Sequence, residues 1–303
     1  MSRWRTLPRG LFLGVLAALV AIPPGRGGAV TFGADEHEHD FASRKGGRDA
    51  FDSIGRIECP DPASPGNWFS TTGWLIGSNQ TLITAAHAFY RAPATARRGP
   101  PVILDPRTCR FILFGRDQKP RSNFAIRYAI SPWADPRQRY DVSYDVAIAR
   151  LSRPVTGAVI PVARPAHDVA GSSISLYAFH ASRTEARLLH ESQGIIGRFG
   201  GDRERLALAR HFGLRISHPD LLLLASANTM QGASGGMYFS QTWQAAIGIH
   251  LGHLCQSYRG PGSFNARSCF NYGKFISPEV LRLVAGVRID RPDRPYLIRA
   301  EDD

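Results

Sequence analysis

Apolar and polar positions along this chain fall into short runs, broken every few residues by glycine, proline or asparagine. Thr71-Thr72-Gly73-Trp74-Leu75-Ile76 predicts a strand, Gly77-Ser78-Asn79-Gln80 a turn, and Thr81-Leu82-Ile83-Thr84 the returning strand. Further strands are predicted at Val102–Leu104, Arg110–Phe114, Phe124–Ile130 and Val146–Leu151, with proline- and arginine-rich loops between them. The proline-punctuated stretch Arg153–Pro165 makes a connector. Beyond it the same texture returns at Ser172–Phe179, Gly194–Phe199, Leu221–Ser226, Met237–Ser240, Ala245–His250 and Tyr272–Ile276. Asp202–Phe212 is charged and reads as a helix or a surface insertion. Ser277-Pro278-Glu279 opens a helix running to about Val287, with serine as its cap and proline in its first turn. Many short strands in two halves of similar size predict an all-β fold, a pair of antiparallel barrels followed by a short C-terminal helix.

Composition narrows this picture. At 303 residues, 43% hydrophobic and 20% charged, the chain has the makings of a globular core. Its formal charge of +12 invites a nucleic-acid reading. Only three of the 37 basic residues are lysines, however, and the arginines are scattered singly, with no basic run or zinc-finger spacing. No nucleic-acid partner is expected.

The N-terminus changes the picture more. Arg3, Arg5 and Arg9 precede an apolar run from Leu11 to Ile22, then Pro23-Pro24 and small residues up to Ala29. This predicts a signal peptide over residues 1–29 and a secreted or periplasmic product beginning at Val30, with no stable membrane span. The remaining divisions expected are 30–155 for an N-terminal segment and the first barrel, 156–290 for the second barrel and helix, and 291–303 for a polar tail. The run Asp35-Glu36-His37-Glu38-His39-Asp40 fits a solvated terminal segment better than a metal site. In an exported chain the four cysteines predict two disulfides. Of three connectivities, Cys59–Cys109 with Cys255–Cys269 is preferred, because each pair then stays within one half.

Candidate chemistry centres on Gly232-Ala233-Ser234-Gly235-Gly236. Gly232 lets backbone N–H groups converge on one point, as an oxyanion requires, although such a run is also an ordinary loop. A nucleophilic serine needs a base, and the base an orienter. His87 follows the strand Thr81–Thr84 directly, in a tight turn of small residues, where a rigid element can hold an imidazole; otherwise it is a polar residue capping a loop. Asp145 heads the alternating run Val146-Ala147-Ile148-Ala149-Arg150-Leu151, which can anchor a carboxylate against Nδ1–H. Asp141 is its rival but lacks an apolar run immediately after it.

Thr84-Ala85-Ala86-His87, Asp145-Val146-Ala147-Ile148 and Gly232-Ala233-Ser234-Gly235-Gly236 stand in the order His, Asp, Ser. In this the chain resembles the trypsin-like (chymotrypsin-fold) serine peptidases, from about Ile54 to Ile276. The resemblance implies two antiparallel six-stranded barrels with the cleft between them, His87 and Asp145 from the first and Ser234 from the second. It implies peptide-bond hydrolysis through an acyl-enzyme, with the N–H groups of Gly232 and Ser234 as oxyanion hole, protein or peptide substrates, and no cofactor or metal.

Within that family the chain is more similar to the bacterial branch containing glutamyl endopeptidases, through Thr229 and Ile247-Gly248-Ile249-His250. Ala233 stands where the animal digestive enzymes carry the aspartate that pairs with a freed N-terminus, so that activation switch is not expected. Tyr177-Ala178-Phe179-His180 stands where many members of the branch have a Gly-Tyr-Pro turn. The resemblance places Asn228 at the bottom of the pocket, which argues against selection of arginine or lysine. Thr229 and His250 then match positions contacting the residue before the scissile bond. A hydroxyl and an imidazole there fit an acidic side chain; the other reading is a strand-end histidine held by hydrogen bonds in a pocket of different preference. Two rival functions are an inactive homologue and a secreted metal-binding module built on His250, His253, Cys255 and Cys269.

Overall fold

A computed structural model describes residues 38–40, 50–61, 66–91, 102–115, 117–133, 140–166, 169–180, 188–198, 201–229, 232–255 and 269–299. Residues 1–29, where a signal peptide is expected, residues 30–37 and the last part of the tail, 300–303, lie outside the described residues. Among those described, no helix is long and apolar enough to cross a membrane.

The first strand, β1 (Glu38–Asp40), at the end of the stretch read as a solvated segment, pairs onto the edge of the seven-stranded sheet. The first barrel then begins with β2 (Ile54–Pro60), β3 (Trp68–Leu75) and β4 (Thr81–Thr84). A small pair, β5 (Tyr90–Arg91) and β6 (Val102–Ile103), follows. The barrel is completed by β7 (Arg110–Phe114), β8 (Pro120–Ile130) and β9 (Ala147–Leu151). It closes antiparallel in the order β2-β3-β4-β9-β8-β7. In β8, Phe124 and Ile126 are buried while Ala125 and Arg127 are exposed, the period of two that a strand with one wet face requires. All of β4 is buried, so its polar ends, Thr81 and Thr84, lie inside the protein. A disulfide, Cys59–Cys109, ties the end of β2 to the start of β7.

The second sheet comprises β10 (Ser173–His180), β11 (Leu188–Ile195), β12 (Leu222–Ala225), β13 (Met237–Ser240), β14 (Ala245–Cys255) and β15 (Cys269–Phe275). With β1 added, its order is β1-β11-β10-β13-β14-β15-β12. Its two edges meet only at one end, where Ile196 bridges Ala225 and Ser226 N–H donates to the Ile195 carbonyl at 3.1 Å. There the second barrel closes, while β1 occupies the part of the β11 edge facing away from β12, with His39 opposite Glu191. Residues 177–180, a turn in many members of the resembling branch, continue straight through as strand.

Among the described residues two α-helices complete the fold, the predicted C-terminal one and one in the charged stretch left open between helix and insertion. The charged stretch forms α1 (Asp202–His211), which buries little but Ala209. After it, Phe212 meets Phe270 edge-on at 5.3 Å. Helix α2 (Pro278–Arg288) is capped by Ser277, whose hydroxyl accepts from Val280 N–H. Its buried positions Val280, Leu283, Val284 and Val287 form one apolar stripe. That stripe lies against β4 and β9, so the chain's end crosses back to cover the first barrel. Ile298 N–H then pairs with the Ala129 carbonyl of β8 at 2.9 Å.

Candidate active site

His87 is delivered by β4. The strand ends at Thr84, Ala85 is extended, and a 3-10 turn over Ala86–Ala88 lifts the imidazole off the barrel rim. Its small neighbours are completely buried, so the turn is fixed by packing while the ring stays about a quarter exposed. Asp145 is delivered by a second 3-10 turn, Val142–Tyr144, at the entry to β9. Since β4 and β9 are paired, with Thr84 opposite Ala147, the two turns emerge side by side. Asp145 Oδ1 accepts from the backbone N–H of His87 at 3.0 Å, and Oδ2 lies 2.7 Å from Nδ1. A carboxylate there requires the proton on Nδ1, which leaves Nε2 as an acceptor. Burial by itself would raise the Asp145 pKa; the His87 ring, the hydrogen bonds from His87 and the phenol of Tyr140 outweigh it and hold the carboxyl below its ordinary value.

Asp141 has a different task. It caps the same turn by accepting from Ser143 N–H at 2.9 Å and receives the Ser217 hydroxyl at 2.7 Å. Val142 N–H donates to the Arg215 carbonyl and His218 N–H to Ser143 Oγ, so the segment after α1 braces the turn that presents Asp145. From β15, the fully buried Lys274 donates through Nζ to the Ser143 carbonyl. Burial pulls its pKa down to about 8.

Ser234 sits in the turn before β13, and Thr72 of β3 seats that turn on the first barrel. Thr72 N–H donates to the Ser234 carbonyl at 2.8 Å, and its hydroxyl donates to the Gly232 carbonyl at 3.0 Å while accepting from Phe179 N–H. Gly235, at φ +83°, must be glycine: a Cβ there would collide with the Thr72 carbonyl and the Thr84 hydroxyl. Ala85 N, two residues before His87, would lie 3.2 Å from that same Cβ. The structure thus brings Ser234, His87 and Asp145 to one place between the barrels. Among the described residues no hydrogen bond joins the Ser234 hydroxyl to His87; such contacts tighten when substrate binds.

The chain's residues 71–249 match the model of the trypsin-like peptidase domain. The chain belongs to that family. Comparison with solved structures adds two relatives of this trypsin-like fold. A Glu endopeptidase superposes with a TM-score of 0.59 at 15% identity, over 86% of this chain and 100% of the other. A scabies mite inactivated protease paralogue superposes with a TM-score of 0.53 at 10% identity, over 82% and 98%. A comparison with curated protein sequences finds no match. At these identities the likeness is one of fold, and an inactivated paralogue shares it.

The expected pocket residues gather beside this turn of the trypsin-like domain. His250 is buried on β14; its N–H donates to the Gly236 carbonyl and its carbonyl accepts from Gly235 N–H. Its Nδ1 lies 2.9 Å from the hydroxyl of Tyr238. Burial pushes the Tyr238 pKa far up, so the phenol keeps its proton, and the His250 tautomer decides which of the two donates. Thr229 donates to Asn271 Oδ1 at 2.8 Å, and Asn271 Nδ2 donates to the Ala227 carbonyl. Asn228 is buried, with its N–H on Ser192 Oγ at 2.6 Å. Among the described residues no group of three or more histidine, cysteine or acidic side chains is placed to hold a metal. Cys255 stands opposite Cys269 in the β14–β15 ladder, but both side chains lie outside the described residues, as does the expected second bridge.

Thr72, Tyr140, Tyr238, Asn271 and Tyr272 were not singled out by the sequence. All but Tyr140 act from within unremarkable strands, where only the strand register, which no local motif reports, exposes them; Tyr140 lies outside any strand and meets Asp145 only through the fold of the intervening turn.

Proposed function

We propose that this protein is an exported serine endopeptidase that cleaves protein or peptide substrates through an acyl-enzyme. The observation that carries the reading is the His87–Asp145 pair, Nδ1 to Oδ2 at 2.7 Å, on the strand end where the Ser234 turn is seated. In this reading Ser234 Oγ attacks the scissile carbonyl, and His87 Nε2 takes its proton. His87 then returns that proton to the leaving amine, while Asp145 stabilises the imidazolium between the two transfers. The N–H groups of Gly232 and Ser234 hold the developing oxyanion. Gly232, at φ +101°, suits that task because a side chain would be strained there. Hydrolysis of the acyl-enzyme repeats the sequence with water as nucleophile, and no cofactor takes part.

For specificity we propose recognition of an acidic residue before the scissile bond, carried by His250. An imidazole held in place by Tyr238 suits a carboxylate, and hydrogen bonds to charged acceptors are worth about 1.5–3 kcal/mol. Thr229 contributes less than its position alone suggests, because its hydroxyl proton is committed to Asn271. Two measurements test the reading. A serine-directed fluorophosphonate should label Ser234 and nothing in Ser234→Ala, with or without chelator. Matched peptides should be cut faster after Glu and Asp than after Leu, Phe or Gln, and His250→Ala should erase that preference. Labelling with an unaltered preference for Leu or Phe would leave the peptidase and remove the acidic pocket.

A further inference from the structure

Asp145 receives one bond more than its partnership with His87 needs. The phenol of Tyr140 donates to Oδ2 at 2.8 Å, the oxygen that also faces His87 Nδ1. Nothing about Tyr140 is loose. Its ring stands edge-on to Trp133 at 5.4 Å, and Trp133 stands edge-on to Tyr90 at 4.8 Å. Tyr90 donates its hydroxyl to the Trp133 carbonyl at 3.1 Å, while Trp133 N–H donates to Ser131 Oγ at 3.0 Å. From the other barrel, Tyr272 of β15 is hydrogen-bonded to the same phenol. Gly252 makes this reach possible: a Cβ there would stand 2.9 Å from the Tyr272 hydroxyl.

We propose that Tyr140 is a positioning residue for His87, and that its phenol, backed by Tyr272, sets how much of the Asp145 charge the imidazolium receives. This rests on the triad reading given above. An oxygen that accepts a phenol proton has less charge to offer the imidazolium, and the carboxylate is also held in one plane. The groups facing Asp145 are His87 from the turn after β4, Tyr140 from the segment before the Asp145 turn, and Tyr272 and Lys274 from β15. Asp141 stands at the far end of that turn. Burial raises the Tyr140 pKa well above that of an ordinary phenol, so the donor persists across the working pH range.

The test is Tyr140→Phe, which removes one oxygen and keeps the ring stacked on Trp133. Two readouts are taken: the pH profile of kcat/KM, and the pH at which the His87 ring signals titrate by NMR, assigned with His87→Gln. Both midpoints should move upward together by about half a unit, a fraction of the roughly 1–2 units that a whole hydrogen bond to a carboxylate represents, because the phenol acts on His87 only through Asp145. With Tyr140 away from substrate, kcat should fall about fivefold while KM stays within about twofold, the pattern of lost transition-state positioning. Midpoints that coincide with wild type, or move down, overturn the proposal, since a purely structural tyrosine would lower the folded fraction and leave them in place. Should Tyr140→Phe fail to fold, Tyr272→Phe takes its place, with a smaller shift of the same sign expected and no shift overturning the idea. If the wild type takes no fluorophosphonate label, the peptidase reading fails, yet the NMR midpoints still decide whether Tyr140 governs the pair.

Discussion

The two barrels bury different kinds of polarity. The strands of the first enclose hydroxyls, at Thr71, Thr72, Thr81 and Thr84, and its buried carboxylate Glu58 is met by Arg56 and Arg110. The strands of the second enclose Glu191, His250, Asn271 and Lys274. Closure differs as well. The first barrel is hydrogen-bonded all round and bound by Cys59–Cys109; the second meets itself at one end and relies on β1 for the rest of that edge. A closed, low-dielectric wall favours a strong coupling between Asp145 and His87. A wall carrying imidazole, amide and ammonium groups suits recognition. On the function proposed above, acid–base chemistry falls to the barrel that is closed all round, and selectivity to the other.

The largest effects should come from residues at the seam. Ser234→Ala and His87→Ala should each reduce hydrolysis by a factor of about 10⁶, and the double variant should do little worse, since the groups act as one unit. Asp145→Ala should cost about 10⁴ in kcat. Asp141→Ala, by contrast, should keep most activity and lose about 1–3 kcal/mol of stability from its broken turn and the Ser217 contact. Steady-state kinetics beside urea unfolding separates the two aspartates. Wild-type turnover in Asp145→Ala would place the chemistry on other residues.

Next in size is the staple. Opening a loop with a sequence separation of 50 residues removes about 4 kcal/mol by chain entropy, and Cys59→Ala with Cys109→Ala should show it. If the first barrel is the fixed partner, this variant should lose kcat at temperatures where the wild type is unaffected, while the Glu-to-Leu selectivity ratio holds. A changed ratio would break the division of labour.

The smallest effect sharpens the other side. Lys274 has a folded pKa of about 8 against 10.5 when unfolded, so between those values the unfolded chain binds more protons. Stability should therefore rise as pH increases from about 8 toward 10, by up to roughly 3 kcal/mol, before buried tyrosines with raised pKa values oppose it above 10. Urea midpoints at pH 7.5 and 9.5 should differ in wild type and coincide in Lys274→Met. A rise that survives the substitution would assign the titration elsewhere.

Much of this was legible in the sequence where local pattern and final environment agree. β4 reads as a strand because Leu82-Ile83 is flanked by β-branched threonines after a turn, and α2 announces itself with Ser277-Pro278 and an apolar stripe. Ser234 and His87 could be singled out because they stand among small residues near strand ends, and Asp145 because it heads an alternating apolar run. β11 was not: it begins at Leu188, whereas the pattern suggested Gly194, because Glu191 and Ser192, neighbours on opposite faces, are both buried and break the expected alternation. Lys274 hides inside a strand for the same reason. Thr72 and Tyr140 lacked any signal, since the Thr72 hydroxyl answers a carbonyl 160 positions away and Tyr140 matters only once the turn around Asp141 is folded. α1 remained open between helix and insertion because its apolar residues are only half-buried.

The chain's two ends are exchanged between its halves: β1, made first, completes the second sheet, and α2, made last, covers β4 and β9. Neither barrel can therefore be finished while synthesis is under way. Until residue 288 has emerged, the wall that carries His87 and Asp145 has a bare apolar face and no partner for it. Such long-range closures are slow to form. For a chain proposed to leave the cytoplasm, slow closure would keep it threadable until translocation is over, and would delay assembly of the proposed catalytic site until then.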